Sequence, residues 1–223
     1  MSFDFSVIYE NFDLFLPAAL LTLQITCAAI VLGTIIGLIV ALLKISKFEI
    51  CNIKILATPA TFYITVIRGT PIILQLFVIY YGLAEIVKLN SFLSATIAFG
   101  LHNGAYIAEI FRGAIESIDK GQLEAAKSLG MSKSKAMERI ILPQALKRAI
   151  PSLGNQFIIA TKDSSLANYI ALTELMGKAQ QLGSSSYKEL EYYVLAGIYY
   201  LIMTSILSFV VHKIEYKLAV SDR

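Results

Sequence analysis

The longest uncharged stretch of the sequence constrains the fold more than any other feature. Thirty consecutive residues between Asp13 and Lys44 carry no charge, whereas an α-helix crosses the ~30 Å hydrocarbon core of a bilayer in about 20 residues. A second run, residues 192–211, is uncharged over 20 residues and ends at His212 and Lys213. Because 57% of all residues are hydrophobic and only 16% are charged, the sequence predicts an all-α integral membrane protein.

Three further transmembrane helices are expected between these two. Residues 54–88 are largely apolar and too long for one straight crossing. Gly69 and Pro71, in the tetrapeptide RGTP, predict a break there, because glycine loosens a helix and proline removes a backbone donor. The other two spans are expected at about 91–116 and 151–172, and both contain polar groups. The prediction is therefore five transmembrane helices, one of them interrupted.

The distribution of Lys and Arg predicts the orientation. With five spans in a single domain, residues 1–223, the two ends of the chain lie on opposite sides of the membrane. An N-terminus outside leaves 14 of the 19 Lys and Arg residues in cytoplasmic segments and three outside, with Arg68 and Lys162 inside the spans. Cytoplasmic loops are enriched in Lys and Arg, so the C-terminus and the loop at about 117–148 are expected in the cytoplasm. The N-terminal segment has no Lys or Arg, as expected of mature sequence rather than a cleavable signal.

Glycines and cysteines in the first third of the chain indicate packing rather than chemistry. Gly33 and Gly37 form a GxxxG arrangement, which predicts the close approach of a neighbouring helix. Cys27 and Cys51 have neither the spacing of a disulfide pair nor a metal-type cluster around them, so both are expected to be structural thiols. No metal site is predicted, and the net charge of +3 indicates no nucleic-acid partner.

The segment EAAKSLGMSKSKAMERIILP, residues 124–143, is one of the most charged parts of the sequence. Its pattern predicts a helix, a turn at Gly130, a second helix capped by Ser132, and a break at Pro143. The second helix has an apolar side. Physical chemistry alone leaves two interpretations open, an element that docks into a groove of another protein and an amphipathic segment on the bilayer surface.

The spacing within this segment resembles the EAA signature of permease subunits in bacterial ABC importers. The matching positions are Glu124-Ala125-Ala126, Gly130, Ile140 and Leu142-Pro143. The resemblance implies the type I ABC importer permease fold, in which this segment is the coupling helix that docks on the ATP-hydrolysing subunit. The residues expected to couple to the ATPase are Gly121, Glu124, Ala125, Ala126, Leu129 and Gly130.

Further motifs are similar to those of the polar amino-acid permeases, the histidine/glutamine/arginine group. They are RGTP followed by IILQLF, AYIAEIFRGAI, GQLEAAKSLG, LPQALKRAIPSLGNQFI and KDSSL. The resemblance implies a multi-pass subunit of the bacterial cytoplasmic membrane that pairs with a second permease chain, either a copy or a close paralogue. It also implies two ATP-binding cassette subunits and an extracytoplasmic solute-binding protein as partners.

The chain itself carries no motif for ATP or for bond chemistry. A GxxxxGK[ST] phosphate loop is absent from the sequence, as are HExxH, GxSxG and a Cys/His cluster. We therefore expect no catalytic residue and no cofactor in this chain, with ATP and magnesium bound by the partner ATPase.

Polar residues inside the predicted spans are the candidate substrate contacts, because an ionisable group in hydrocarbon is costly unless it is paired or solvated. The candidates are Asp163, Glu109, Arg68, Asn103, Tyr106, Gln156 and Ser164. Two carboxylates favour a basic L-amino acid such as arginine, lysine or histidine, and Arg68 is a candidate for the substrate carboxylate. Structural pairing, of Glu109 with Arg112 or of Arg68 with Asp163, is the alternative.

Three other functions stay open at this level. A permease for glutamine or another neutral or acidic amino acid would share the same motifs. A secondary transporter or channel would need no ATPase. An intramembrane enzyme would use Glu109 and Asp163 as an acid/base pair. The last two leave the EAA spacing unexplained.

Overall fold

The protein is a bundle of α-helices in which a short N-terminal helix precedes a long one. The computed structural model describes residues 3–46, 55–83 and 86–220, and within these ranges it contains no strand. Cys51 lies outside the described residues, whereas Cys27 is an exposed free thiol. The elements of the first half are α1 (Ser6–Glu10), a 3-10 turn (Phe12–Phe15), α2 (Leu16–Ile45), α3 (Ala57–Arg68), α4 (Ile72–Gly82) and α5 (Ser91–Glu116). Those of the second half are α6 (Lys120–Ser128), α7 (Lys133–Ala136), a π-helical turn (Met137–Ile141), α8 (Leu142–Asp163), a 3-10 helix (Ser164–Ile170), α9 (Leu175–Ser186) and α10 (Glu189–Val220).

Two of the helices that the structure describes are long and apolar enough to cross a membrane, Phe12–Ile45 and Glu189–Leu218. The pair α3 and α4 makes a third candidate, bent by 104° between Arg68 and Ile72. This confirms the predicted break at RGTP. Helices α5 and α8 have 26 and 22 residues, enough in length for a crossing, but they are more polar. Their helical structure is confirmed, and their role as spans remains a prediction.

The contact between α2 and α5 is the most extensive in the molecule, and glycines on both helices permit it. A Cβ on Gly37 would lie 2.7 Å from Ile107 Cγ2, and one on Gly104 would lie 2.9 Å from Ile36 Cγ2. Gly33 faces α5 in the same way, with Asn103 Cβ at 3.1 Å from the position of a Cβ. The predicted close packing at the GxxxG arrangement is therefore confirmed, and α5 also contributes small residues to the contact.

The region around Pro143 differs from the prediction. Proline does not end a helix here: it lies in the first turn of α8, and the chain is helical from α7 through the π-helical turn to Asp163. Because Pro143 has no N–H, the preceding turn widens, and Leu142 donates its N–H to the Met137 carbonyl, five residues back. The Gln144 side chain donates to the Ile140 carbonyl at 2.9 Å. The helix that contains the fourth predicted span consequently begins at Leu142 rather than near residue 151.

Helix α9 was not expected from the sequence. It lies where a loop was predicted, and Glu174 caps its start by accepting the Gly177 N–H at 2.9 Å. Glu174 is fully buried, and Tyr200 on α10 donates to its other oxygen at 2.6 Å. A buried carboxylate with donors on both oxygens thus joins α9 to α10.

Candidate functional site

Hydrogen bonds from one side chain of α4 stabilise the bend between α3 and α4. Gln75 donates its side-chain N–H groups to the carbonyls of Ile67 at 2.8 Å and Thr70 at 3.1 Å. These acceptors lose their helical partners where the chain turns, so Gln75 replaces them. Its Oε1 is 3.1 Å from His102 Nδ1, and since Oε1 only accepts, the His102 ring donates through Nδ1. The bend is thereby fixed to α5.

Glu109 lies in a cluster of three cations rather than in an empty pocket. Lys44 Nζ contacts its Oε1 at 2.6 Å, and Arg112 Nη2 contacts its Oε2 at 2.9 Å. Arg68 Nη1 approaches the same Oε2 at 3.9 Å. Arg112 also pairs with Glu116. The structure therefore supports the pairing of Glu109 with Arg112 and brings Arg68 to Glu109. The alternative that paired Arg68 with Asp163 is wrong.

Lys44 is the member of this cluster that sequence reasoning missed. It lies in the last turn of α2, where the sequence alone predicts a cytoplasmic charge beyond the span, whereas α2 packs along α5. Side chains on a helix point back toward its N-terminus, so Lys44 reaches Glu109 from a position further along its helix. The signal was available in Gly33 and Gly37, which fix the alignment of the two helices.

Arg68 is the most accessible charge of the cluster. Its side chain is 45% exposed, against 19% for Glu109, and its guanidinium lies 5.2 Å from the centroid of the Tyr106 ring. The His102 ring lies 5.0 Å from the same ring. A cation on an aromatic face keeps most of its donors available to another ligand. Arg68, Tyr106 and Glu109 thus form one polar face where α3 ends beside α5.

Asn103 and Gln156 form a separate contact that is buried. Gln156 Nε2 donates to Asn103 Oδ1 at 2.8 Å, and Asn103 Nδ2 donates to the Phe99 carbonyl at 2.8 Å. Asn103 is 0% exposed and Gln156 is 7% exposed. In this conformation they join α8 to α5 and are covered by protein.

Asp163 and Ser164, adjacent in sequence, have different surroundings. Ser164 is 0% exposed, and its hydroxyl donates to the Thr161 carbonyl at 2.8 Å. Asp163, the last residue of α8, is half-buried. Among the residues that the structure describes, no cation lies within ion-pair distance of its carboxylate and no group donates a hydrogen bond to it. Asp163 therefore forms no ion pair with the described residues, unlike Glu109.

Helix α6 forms the predicted first half of the charged segment. Asp119 caps it by accepting the Gly121 N–H at 2.6 Å. Its end is a Schellman motif, in which Gly130 donates to the Lys127 carbonyl at 2.9 Å and Met131 to the Ala126 carbonyl at 3.1 Å. Gly130 has φ +81°, a left-handed conformation that glycine adopts without strain. The predicted turn at Gly130 is confirmed.

The faces of α6 differ in a way that suits a docking helix. Ala126 is 2% exposed and packs inward, whereas Glu124 and Ala125 are exposed. Leu129 is 84% exposed, the largest fraction among the exposed large hydrophobic residues. Covering an exposed leucine beside a small alanine removes apolar surface from water, which is favourable.

Comparisons with known proteins match the whole chain. Residues 33–219 match the family of binding-protein-dependent transport system inner membrane components. The chain is 37% identical to the arginine transport system permease protein of Bacillus subtilis (strain 168), over 100% of both chains. It is 36% identical to the glutamine transport system permease protein of Escherichia coli (strain K12), over 99% of this chain and 100% of that protein.

A solved structure has the same fold. It is described as the crystal structure of an amino acid ABC transporter with histidines, and it aligns with a TM-score of 0.90 at 36% identity. The alignment covers 97% of this chain and 100% of the other. The bend at RGTP and the α6–α7 segment thus belong to a fold that a transporter subunit adopts.

Proposed function

The chain belongs to the family of binding-protein-dependent transport system inner membrane components, and we propose from this membership which residues bind the substrate and which contact the ATPase. It is an amino-acid permease subunit of an ABC importer. In this family the ATP is hydrolysed by separate ATPase subunits.

The substrate is proposed to be a basic L-amino acid, and Asp163 carries this proposal. It is half-buried and forms no ion pair with the described residues, so a substrate ammonium or guanidinium would supply a directly paired charge. Glu109 already has Lys44 and Arg112, which makes it the weaker candidate for direct contact. One relative named above is an arginine permease and another a glutamine permease, so glutamine or another neutral or acidic amino acid is the alternative.

Arg68 is proposed to bind the α-carboxylate of the substrate. It is partly exposed, held by the Tyr106 ring and only loosely paired with Glu109 at 3.9 Å. A guanidinium in this position retains donors for a bidentate contact. Tyr106 and Glu109 then position Arg68. Asn103, Gln156 and Ser164 line the path only if the helices separate, because they are covered in this conformation.

Helix α6 is proposed to be the surface that docks on the ATPase. Glu124, Ala125 and Leu129 form the contact, while Ala126 anchors the helix and Gly121 and Gly130 shape its two ends. Movement of α6 would reach the membrane through the turn at Gly130 and then through α7 and α8, which are continuous through the π-helical turn.

The assembly is proposed to contain two permease chains, two ATPase subunits and an external solute-binding protein in the bacterial cytoplasmic membrane. The N-terminus lies outside and the C-terminus in the cytoplasm, as the distribution of Lys and Arg favours. ATP and magnesium bind to the ATPase subunits and not to this chain.

The test of the substrate proposal is a panel of amino acids on the importer reconstituted with its ATPase and solute-binding protein. Arginine, lysine or histidine is expected to stimulate ATP hydrolysis more than glutamine does. Asp163→Asn should weaken the response to the basic amino acids and leave the subunits assembled. Strong stimulation by glutamine with none by the basic amino acids would contradict the proposal.

A further inference from the structure

An apolar groove runs along the outer surface between α8 and α10, away from the polar face of α5. It has a volume of about 340 Å³ and is lined mainly by Ile150, Leu153 and Phe157 of α8 and by Leu207, Val210 and Ile214 of α10. The residues from Ile150 to Phe157 extend for about 10 Å at the rise of an α-helix. The groove therefore has the length and chemistry of a site for part of a hydrocarbon chain.

The two helices touch along the floor of this groove. A Cβ on Gly154 would lie 2.6 Å from Val211 Cγ2, so α8 and α10 are in direct contact there. Val210 and Ile214 on the rim are 45% and 40% exposed. The groove is thus an open depression with a closed floor, and it faces the surroundings of the chain rather than its interior.

One end of the groove is basic. Lys213 and Lys217, both exposed, follow Val210 by three and seven residues, so they lie on the same side of α10 as the groove lining. Glu215, the acidic residue between the two lysines, contacts His212 at 3.6 Å. Positive charge therefore lies where the apolar lining stops.

We propose that this groove is a binding site for an anionic phospholipid, with an acyl chain along α8 and α10 and the phosphate of the headgroup at Lys213 and Lys217. Basic clusters at the ends of membrane helices bind anionic headgroups, and each lysine contributes roughly fivefold to the affinity. A second copy of this chain fits the surface less well. Across a two-fold axis, the same lysines of both copies would be brought together.

The test is lipid binding to the assembled importer in bilayer nanodiscs, with dioleoyl phosphatidylglycerol compared with dioleoyl phosphatidylcholine. A photo-crosslinking residue at position 210 should form an adduct of lipid mass, more with phosphatidylglycerol than with phosphatidylcholine. Lys213→Gln with Lys217→Gln should remove most of this preference, by roughly 30-fold for two charges. Lys133→Gln with Lys135→Gln, two exposed lysines on α7, is the matched control and should retain it.

A second pair of variants tests the groove without changing charge. Retention of native-mass phosphatidylglycerol by the purified importer should fall in Val210→Trp, which fills the groove. It should be unchanged in Ile206→Trp, one turn earlier on α10 and outside the lining. Equal labelling by both lipids would overturn the proposal. So would a crosslink from position 210 to a second permease chain in place of lipid, or full retention in Val210→Trp.

Discussion

At the scale of residues, two carboxylates have opposite electrostatic surroundings. Glu109 has three cations around it, from α2, α3 and its own helix. Asp163 has no charged partner within ion-pair distance among the described residues. A paired charge lowers the cost of burial, whereas an unpaired one keeps that cost until a ligand supplies the opposite charge. The first arrangement favours stability and the second favours binding.

Paired substitutions separate these two roles. Glu109→Gln is expected to lower the free energy of unfolding by roughly 1–3 kcal/mol, because Lys44 and Arg112 lose their shared acceptor charge. Asp163→Asn removes no ion pair and should leave the thermal unfolding midpoint of the purified protein unchanged. Equal destabilisation by both substitutions would show that Asp163 is a structural residue.

The contact between Asp4 and Lys188 predicts a pH dependence at the other end of the molecule. Hydrogen bonds from Lys188 and Ser6 lower the pKa of the Asp4 carboxyl from its ordinary value of 3.8 to about 2. A depressed pKa stabilises the folded state above pH ~4, and this contribution is lost as the pH falls through the folded pKa. The difference in unfolding midpoint between the wild type and Asp4→Asn should therefore close between about pH 4 and pH 2. A difference that stays constant down to pH 2 would exclude this contact as its cause.

At the scale of elements, the α2–α5 pair and the α6–α8 segment have different tasks. The first is a close contact of two helices through glycines, which holds the polar face of α5 in place. The second begins with an exposed helix and continues through a π-helical turn into the longest polar helix of the second half. Packing holds the α2–α5 pair in place, whereas the exposed surface of α6 is available to bind another protein.

The α2–α5 contact predicts a strong response to a single side chain. Gly37→Val would place atoms within 3 Å of Ile107 and of the Gly104 carbonyl oxygen, so the helices must separate. We expect a loss of about 1–3 kcal/mol of unfolding free energy, measured by thermal unfolding. Gly113→Ala, on the same helix as Gly104 but with no atom within 4 Å of the new Cβ, should be neutral or slightly stabilising.

The α6 surface predicts a loss of coupling without a loss of substrate binding. Glu124→Ala or Leu129→Asp should reduce ATP hydrolysis stimulated by the loaded solute-binding protein by roughly tenfold, because residues central to an interface contribute most of its affinity. Amino-acid binding to the permease should persist. Lys135→Ala, an exposed residue on α7, is the control. Normal stimulation in both α6 variants would place the docking surface elsewhere.

At the scale of the whole molecule, the sequence determined the helices better than their contacts. Uncharged length predicted α2 and α10, and Gly69 with Pro71 predicted the bend, because these depend on local chemistry. The partners of Glu109 were only partly predictable, since Arg112 is three residues away on the same helix while Lys44 comes from a distant one. Helix α9 was missed because it is polar and its start depends on the buried Glu174 contact with Tyr200. The break predicted at Pro143 is absent because a π-helical turn accommodates the proline.

We expect this chain to move amino acids only when a separate ATPase drives it. The most direct measurement is uptake of radiolabelled arginine into liposomes that contain the permease, with the ATPase, ATP and solute-binding protein omitted one at a time. We predict uptake against a concentration gradient with all three present and none when any is omitted. Uptake by the permease alone, driven by a proton or sodium gradient, would contradict this dependence on the ATPase.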